Sequence, residues 1–503
     1  MNEIFGSIAL TFSGGGYRAA GFSLGALSFL ERIGLLQNVK VISSVSGGTI
    51  TAVKYTESQI SKKSFDEFFS EYYSWLKDDK LAYRAISHLN SFGVWNKKIN
   101  KHKKDNPINA FAIEYNDFTN HFTIGDIDKL IKAKGTHLER VIFNAVDFTH
   151  GLEFRFQNID KPQRRFGNGK VNLNEYIDKV KLGDALAASS AFPGGFEPIS
   201  FPNDFFPKVQ GDNLEEIGLM DGGIIDNQGI SSLFTSDNPD SLYNFYLFND
   251  VASPDITSPF KFAQKNFFIK VLTFLSSIPA LLLLVSLTIF FLWNNWLLPY
   301  SISLVITFLM LGIQVLLYIA AKKASDATNI LRKLVIPPRK LGFFILDRIN
   351  SLIKMANDVF LKSARRRNYN ATYEKYRKFV STNSIYELRC KDGKPENGIK
   401  WEEIRKHTGD IPENMKSISK DSAKFGTTLW FNNQDEKDKT MKKLIACGEY
   451  TACYNLIAFL VVNHSKKISS DELLSSFFGQ LIAQWEELKK EPYSIVNSRI
   501  QIK

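Results

Sequence analysis

Residues 8–48 read IALTFSGGGYRAAGFSLGALSFLERIGLLQNVKVISSVSGG. Ile8 to Phe12 is a short apolar run suited to a buried strand, Ser13 to Gly16 is a turn, and Tyr17 to Leu36 carries apolar residues at helical spacing. Val39 to Val45 supplies a second strand, Ser46-Gly47-Gly48 a sharp turn, and Thr49 opens another helix. A strand, helix, strand, helix alternation predicts an α/β fold. Both glycine turns fall where a strand ends and a helix begins, the edge at which α/β sheets place ligands and chemistry.

Further strands are expected at Val141 to Asp147, Leu152 to Gln157, Gly218 to Met220 and Asn244 to Leu247, with a small-residue helix at Asp184 to Ser190. Residues 60–135, rich in Phe, Tyr, Trp and Lys, read as helical or irregular cover over the sheet, with no function legible in them. In the C-terminal part, Leu341 to Arg367 reads as an amphipathic basic helix and Ser384 to Arg389 as a strand. Lys391 to Pro412 reads as a loop, Leu444 to Val462 as an apolar helix and Ser469 to Lys490 as an amphipathic one.

The chain has 503 residues, of which 44% are hydrophobic and 23% charged, which excludes collagen, a coiled-coil rod and disorder throughout. Its three cysteines, Cys390, Cys447 and Cys453, exclude a disulfide-rich scaffold, and no Cys and His cluster has metal-ligand spacing, so neither a metal nor another cofactor is expected. No charged leader with a cleavage site precedes the glycine cluster, so no signal peptide is expected.

The net charge of +11 admits nucleic acid, an anionic membrane surface or plain solubility, and its distribution chooses among them. Val271 to Ala321 contains no Lys, Arg, Asp or Glu, where one membrane crossing needs about 20 apolar residues. Trp293-Asn294-Asn295-Trp296 breaks the run with a polar pair between indoles, followed by Pro299 and Tyr300, as an interfacial turn would. Two transmembrane helices, near 271–293 and 297–321, are expected; a buried hairpin in a soluble core is the alternative. Lys261, Lys265 and Lys270 before the run, and Lys322, Lys323, Arg332, Lys333, Arg339 and Lys340 after it, place both flanks in the cytoplasm. The same cations suit anionic headgroups, which accounts for much of the positive balance with a lipid bilayer and no nucleic acid as partner. The expected organisation is a main catalytic part over 1–260, a hairpin over 261–323 and a C-terminal helical part over 324–503 that completes the catalytic domain.

Three constellations carry chemistry. Ser44-Val45-Ser46-Gly47-Gly48 follows a strand and opens a helix, the setting of a nucleophile elbow with Ser46 as nucleophile; a plain strand-to-helix turn is the alternative. Gly14, Gly15 and Gly16 with Arg18 offer backbone N–H groups to an oxyanion; a phosphate cradle, weakened by the missing Walker lysine, and a structural turn compete with that reading. Asp221-Gly222-Gly223 ends a short strand and would expose a carboxylate general base; the alternative is an Asp in a plain turn. The seven histidines lie in no recognisable triad motif.

Taken together the three resemble the patatin-like phospholipase family. Ala188-Ser189-Ser190-Ala191-Phe192-Pro193 is similar to its Ala-Ser-x-Ala-x-Pro segment, and Asp221 to Asn227 to its Asp-Gly-Gly-x-x-Asp-Asn stretch. Ser44 stands where the elbow usually has glycine, and Ala19 where a glycine often follows the basic residue. The resemblance implies a three-layer α/β/α hydrolase with a Ser46–Asp221 dyad, an oxyanion hole built by Gly14, Gly15 and Gly16, and Arg18 as the basic residue associated with it. It covers Ser7 to about Val251 and grows faint beyond the hairpin. The implied function is a membrane-anchored serine acyl hydrolase of lipid metabolism acting on a phospholipid or related lipid ester. A catalytically silent tethered scaffold or sensor, and a membrane-degrading defence effector, are the alternatives.

Overall fold

The computed structural model describes residues 2–159, 161, 164–207, 214–234, 243–252, 348, 351–352, 354–388, 401–430 and 437–501. The expected transmembrane run at 271–321 lies outside the described residues. Two compact units divide the chain, one of residues 1–255 together with 361–503 and one of 256–360; the first carries the sheet.

That sheet has eight strands: β1 (Ile8–Phe12), β2 (Val39–Val45), β3 (Arg140–Asp147), β4 (Leu152–Gln157), β5 (Ile199–Phe201), β6 (Ile217–Asp221), β7 (Phe245–Asp250) and β8 (Val380–Ser384). Strands β3-β2-β1-β7-β8 are parallel neighbours. β4 and β6 run antiparallel to β3, and β5 antiparallel to β6. Strands β1, β3 and β7 are buried along their whole length because both faces are covered. Ile8, Leu10 and Phe12 enter the large core on one face, while Ala9, Val41, Ile142, Tyr246 and Phe248 form a smaller core on the other. The period of two along β1 thus sorts its side chains between two layers, and the molecule is a three-layer α/β fold.

Among the described residues there are sixteen α-helices. The first four are α1 (Asn2–Phe5), α2 (Gly16–Arg32), α3 (Gly47–Ile60) and α4 (Phe65–Asp78). Next come α5 (Leu81–Leu89), α6 (Phe92–Trp95), α7 (Pro107–Phe118), α8 (Ile124–Lys132), α9 (Leu182–Ser190) and α10 (Gly223–Asp226). The C-terminal part adds α11 (Leu361–Tyr376), α12 (Trp401–Thr408), α13 (Glu413–Lys424), α14 (Lys437–Ser470, kinked at His464), α15 (Glu472–Lys490) and α16 (Ser494–Gln501). α2 and α14 lie so close that a side chain at Gly25 would strike the Ile445 carbonyl and one at Gly448 the Phe22 carbonyl. Lys439–Ser470 is the one helix among the described residues long and apolar enough to cross a membrane, and 89% of its most apolar window is buried within the fold. It is a core helix.

Two sequence expectations are corrected. The strand near 384–389 is β8 at Val380–Ser384, which pairs from Tyr246↔Val380 to Asp250↔Ser384, while Ile385 and Leu388 are buried in the turn that follows. Its composition, Val-Ser-Thr-Asn-Ser, hides a strand because Asn383 meets its polar needs inside, donating to Asn249 Oδ1 at 2.8 Å. The stretch 391–412, expected as a loop, contains α12, whose Ile404 is buried against the core under an otherwise charged surface.

Candidate active site

Strand β2 delivers Ser46 to the sheet edge, and the helix α3 starts directly after it. Ser46 has φ 51° and ψ −121°, a left-handed conformation that a side-chain-bearing residue adopts at a cost of about 1–3 kcal/mol. Its neighbours explain why the turn holds. A side chain on Gly47 would run into the backbone of Gly16, and one on Gly48 into the Phe12 carbonyl. The two glycine turns therefore abut, and only side-chain-free residues let them do so. Ser46 N–H donates to Ser189 Oγ at 3.0 Å, and Thr49 Oγ1 bridges Ser189 Oγ at 2.9 Å and Ser44 Oγ at 3.1 Å. Ser44, where a glycine is usual, is thus buried and bonded, its own hydroxyl donating to the Ile142 carbonyl at 3.3 Å.

Asp221 ends β6 opposite Ala145 of β3. It is buried, its N–H donates to the Ala191 carbonyl at 3.1 Å, and its Oδ1 accepts the Gly223 N–H at 2.7 Å. The Ser46 side chain lies near enough to act on its carboxylate. Burial pushes the carboxyl up to about 6 from the ordinary 3.8, against the opposing pull of the Ser46 and Gly223 hydrogen bonds. A carboxylate so raised is a better proton acceptor than one in water and is still ionised near neutrality.

The glycine loop after β1 divides its donors. Gly14 N–H is spent on the Asn227 carbonyl at 2.9 Å, and Tyr17 N–H on the Thr428 carbonyl at 2.9 Å. The N–H groups of Gly15 and Gly16 have no acceptor among the hydrogen bonds of the described residues. Gly15 has φ 148° and Gly16 φ 56°, and a side chain on Gly16 would collide with the backbone of Thr427 and Thr428. Arg18 is buried in α2, and its Nη1 donates to the carbonyls of Ala423 at 3.0 Å and Phe425 at 2.9 Å, at the C-terminus of α13. Such a cation neutralises the last carbonyls of a helix. Ser46, Asp221 and the Gly15–Gly16 backbone are brought together; the Arg18 guanidinium is turned to α13 instead.

Four supporting residues carried no assigned role in the sequence: Ser189, Thr49, Asn144 and Asn227. Asn144 Nδ2 donates to Ser43 Oγ and to the Ser44 carbonyl, both at 2.9 Å, while Ser232 Oγ donates to Asn144 Oδ1 at 2.6 Å. The Ala-Ser-x-Ala-x-Pro and Asp-Gly-Gly segments held the signal for Ser189 and Asn227. Nothing in the sequence pointed to Thr427 and Thr428.

With this geometry in view, the sequence pattern of patatin-like phospholipases matches residues 10–234. That stretch resembles a patatin-like phospholipase domain. The match runs from β1 through both glycine turns to the segment just past Asp221, so it includes Ser46 and Asp221. No curated protein matches the sequence. Among solved structures, VipD from Legionella pneumophila aligns at 14% identity over 50% of this chain and 51% of its own, with a TM-score of 0.25. The chain therefore spans about half the length of that protein, and an overlap this slight carries no argument.

Proposed function

We propose that this protein is a membrane-anchored serine acyl hydrolase that cleaves a glycerophospholipid or related lipid ester through a Ser46–Asp221 dyad. The observation that carries the reading is the strained Ser46 elbow beside a buried Asp221 whose carboxyl burial pushes up to about 6. Asp221 takes the Ser46 proton as Oγ attacks the ester carbonyl, and the Gly15 and Gly16 N–H groups stabilise the developing oxyanion. Collapse expels the alcohol, which recovers the proton from Asp221, and water then releases the acid by the same steps. Gly14 supports the hole by fixing the loop through Asn227. Arg18 acts at one remove, as a positioning residue that ties α13 and the Thr427–Thr428 segment to the glycine loop.

The anchoring part of the proposal rests on Val271 to Ala321 and its basic flanks. Strands β7 and β8 are adjacent and in register, although that run separates them in sequence. A chain that crosses a bilayer between them must cross an even number of times to put both in one sheet, which favours two crossings over one. The cations on both flanks favour a cytoplasmic location for the sheet-bearing part. The C-terminal part then completes the catalytic domain rather than forming a separate one.

The test is hydrolysis of a short-chain p-nitrophenyl ester and of phospholipid vesicles by the purified chain beside Ser46→Ala. The wild type is expected to turn over both and the variant neither. A variant retaining activity within about tenfold of wild type, far less than nucleophile removal normally costs, would remove Ser46 from the mechanism.

A further inference from the structure

Between Asp79 and Asp105 the sequence has no Asp or Glu but seven Lys and Arg. The fold uses four of these cations internally. Lys80 and Arg84 pair with Asp78 at 2.9 and 3.0 Å, Lys103 is buried against Asp184 at 2.7 Å, and Lys104 meets Glu216 at 3.3 Å. Lys97, Lys98 and Lys101 are exposed and, among the described residues, have no ion-pair partner. Interleaved with them stand large apolar side chains in water: Phe92 is 84% exposed and Tyr83 75%, with Ile86 and Ile99 also exposed. Single exposed apolar residues mean little, but four within seventeen residues next to three unpaired lysines form a patch.

The patch is rigidly mounted. Tyr83 and Ile86 share one face of α5 by their three-residue spacing. The opposite face is held, because Arg84 Nε donates to Glu114 of α7 at 2.8 Å and His88 Nε2 bonds the same carboxylate at 2.6 Å. The basic stretch is fixed by Lys103, whose partner Asp184 lies on α9, the helix that presents Ser189 to the elbow. Through Phe111 of α7, whose ring meets Phe196 at 5.1 Å, the same layer reaches the loop after α9. That loop exposes Phe192 and supplies the Ala191 carbonyl to Asp221. The patch is thus continuous, through packed elements, with the edge where the dyad sits.

We infer that the outer face of residues 83–101 is the surface by which the catalytic part lies on an anionic lipid bilayer, Tyr83, Ile86, Phe92 and Ile99 entering the headgroup layer while Lys97, Lys98 and Lys101 meet lipid phosphates. Charge complementarity selects this occupant: rigid apolar side chains ringed by unpaired cations of one sign fit an interface that is apolar below and negative above. The inference deepens the proposed function by naming the surface that presents the active site to its lipid, and rests on that reading only for the kinetic part of its test.

The full chain is reconstituted in vesicles carrying Ser46→Ala to prevent turnover, Cys390→Ser, and Phe92→Cys labelled with a polarity-sensitive maleimide dye; Cys447 and Cys453 are buried. A second sample carries the dye at exposed Leu473 through Leu473→Cys instead. Dye at 92 is expected to shift to the blue in vesicles containing phosphatidylglycerol and not in phosphatidylcholine alone, while dye at 473 shifts in neither. Each lysine lost should weaken the response about fivefold, so Lys97→Glu, Lys98→Glu and Lys101→Glu together should abolish it. Equal emission in the two vesicle types, equal shifts at 92 and 473, or a shift that survives the triple reversal overturns the inference. In the active chain, Tyr83→Ser with Phe92→Ser should slow vesicle hydrolysis roughly tenfold or more while leaving a soluble ester untouched, as removal of two aromatic anchors from an interface predicts; unchanged vesicle hydrolysis overturns it too. A wild type without any hydrolysis strikes the functional reading alone, since the dye measurement needs no turnover.

Discussion

At Asp221 the proposed role as base and the stability of the fold pull in opposite directions with pH. Its folded carboxyl lies near 6 against an ordinary 3.8, so between those values the folded chain keeps a proton that the unfolded chain has given up. Stability from this group is therefore fullest below about pH 4 and is lost as pH rises through 6. Activity has the opposite sign, because the base works only when ionised: the rate on a soluble ester should fall below about pH 6 and level off above it. Asp221→Asn should abolish hydrolysis yet melt at a higher temperature than wild type at pH 8, by something on the order of 3 kcal/mol at most. Calorimetry at two pH values checks this, and an Asn variant less stable at pH 8 than at pH 4 relative to wild type would contradict the burial argument. The proposed dyad would act as a unit, so Ser46→Ala combined with Asp221→Asn should be little worse than either alone.

Among the elements, the contact of α2 with α14 carries another buried carboxylate. Glu449 accepts the Ser28 hydroxyl at 2.7 Å, and Arg499 Nε in turn donates to Ser28 Oγ at 2.9 Å. Burial pushes Glu449 up to about 8, with Ser28 and Arg499 pulling the other way. It is thus protonated at neutral pH, and its contribution to stability, complete below the ordinary 4.5, declines as pH rises toward 8. Glu449→Gln keeps the shape and the acceptor while removing the ionisation. It should melt like wild type near pH 5 and above it at pH 8 or higher, which paired melting curves would reveal; identical pH dependence in the two proteins would show that Glu449 does not titrate in the fold.

At the scale of the whole molecule, the parallel partnership of β7 and β8 governs what the intervening chain can do. Removing residues 271–321 and bridging the gap with a short Gly and Ser linker should leave the sheet intact and release the protein from membranes, because both ends of a hairpin emerge on one side. Hydrolysis of a soluble ester should survive, while the soluble fraction rises in a sedimentation assay. Protease added outside intact cells should cut neither the Ser46 part nor the part after Lys322. Digestion of the latter alone would contradict the hairpin, and would also be incompatible with β8 lying beside β7.

The alternation in residues 8–48 determined the α/β class, and the residue types at the two glycine turns and at Asp221 marked the candidate site, because local sterics alone restrict such tight turns to small residues. The sequence also marked β1 to β4, β6 and β7, whose apolar runs can be read without context. Only the tertiary structure decided the rest, for reasons of distance along the chain. β8 has a polar sequence and becomes a strand by pairing with β7 and burying Asn383 against Asn249. Gly14 and Gly16 sit in the same loop, yet one N–H is taken by Asn227 and the other is not, a difference made by a partner more than two hundred residues away. Arg18 stands beside the glycine loop in sequence, but α13 brings two carbonyls to its guanidinium from some four hundred residues on. A motif names the atoms that can act; long-range packing chooses which of them are left free to do so.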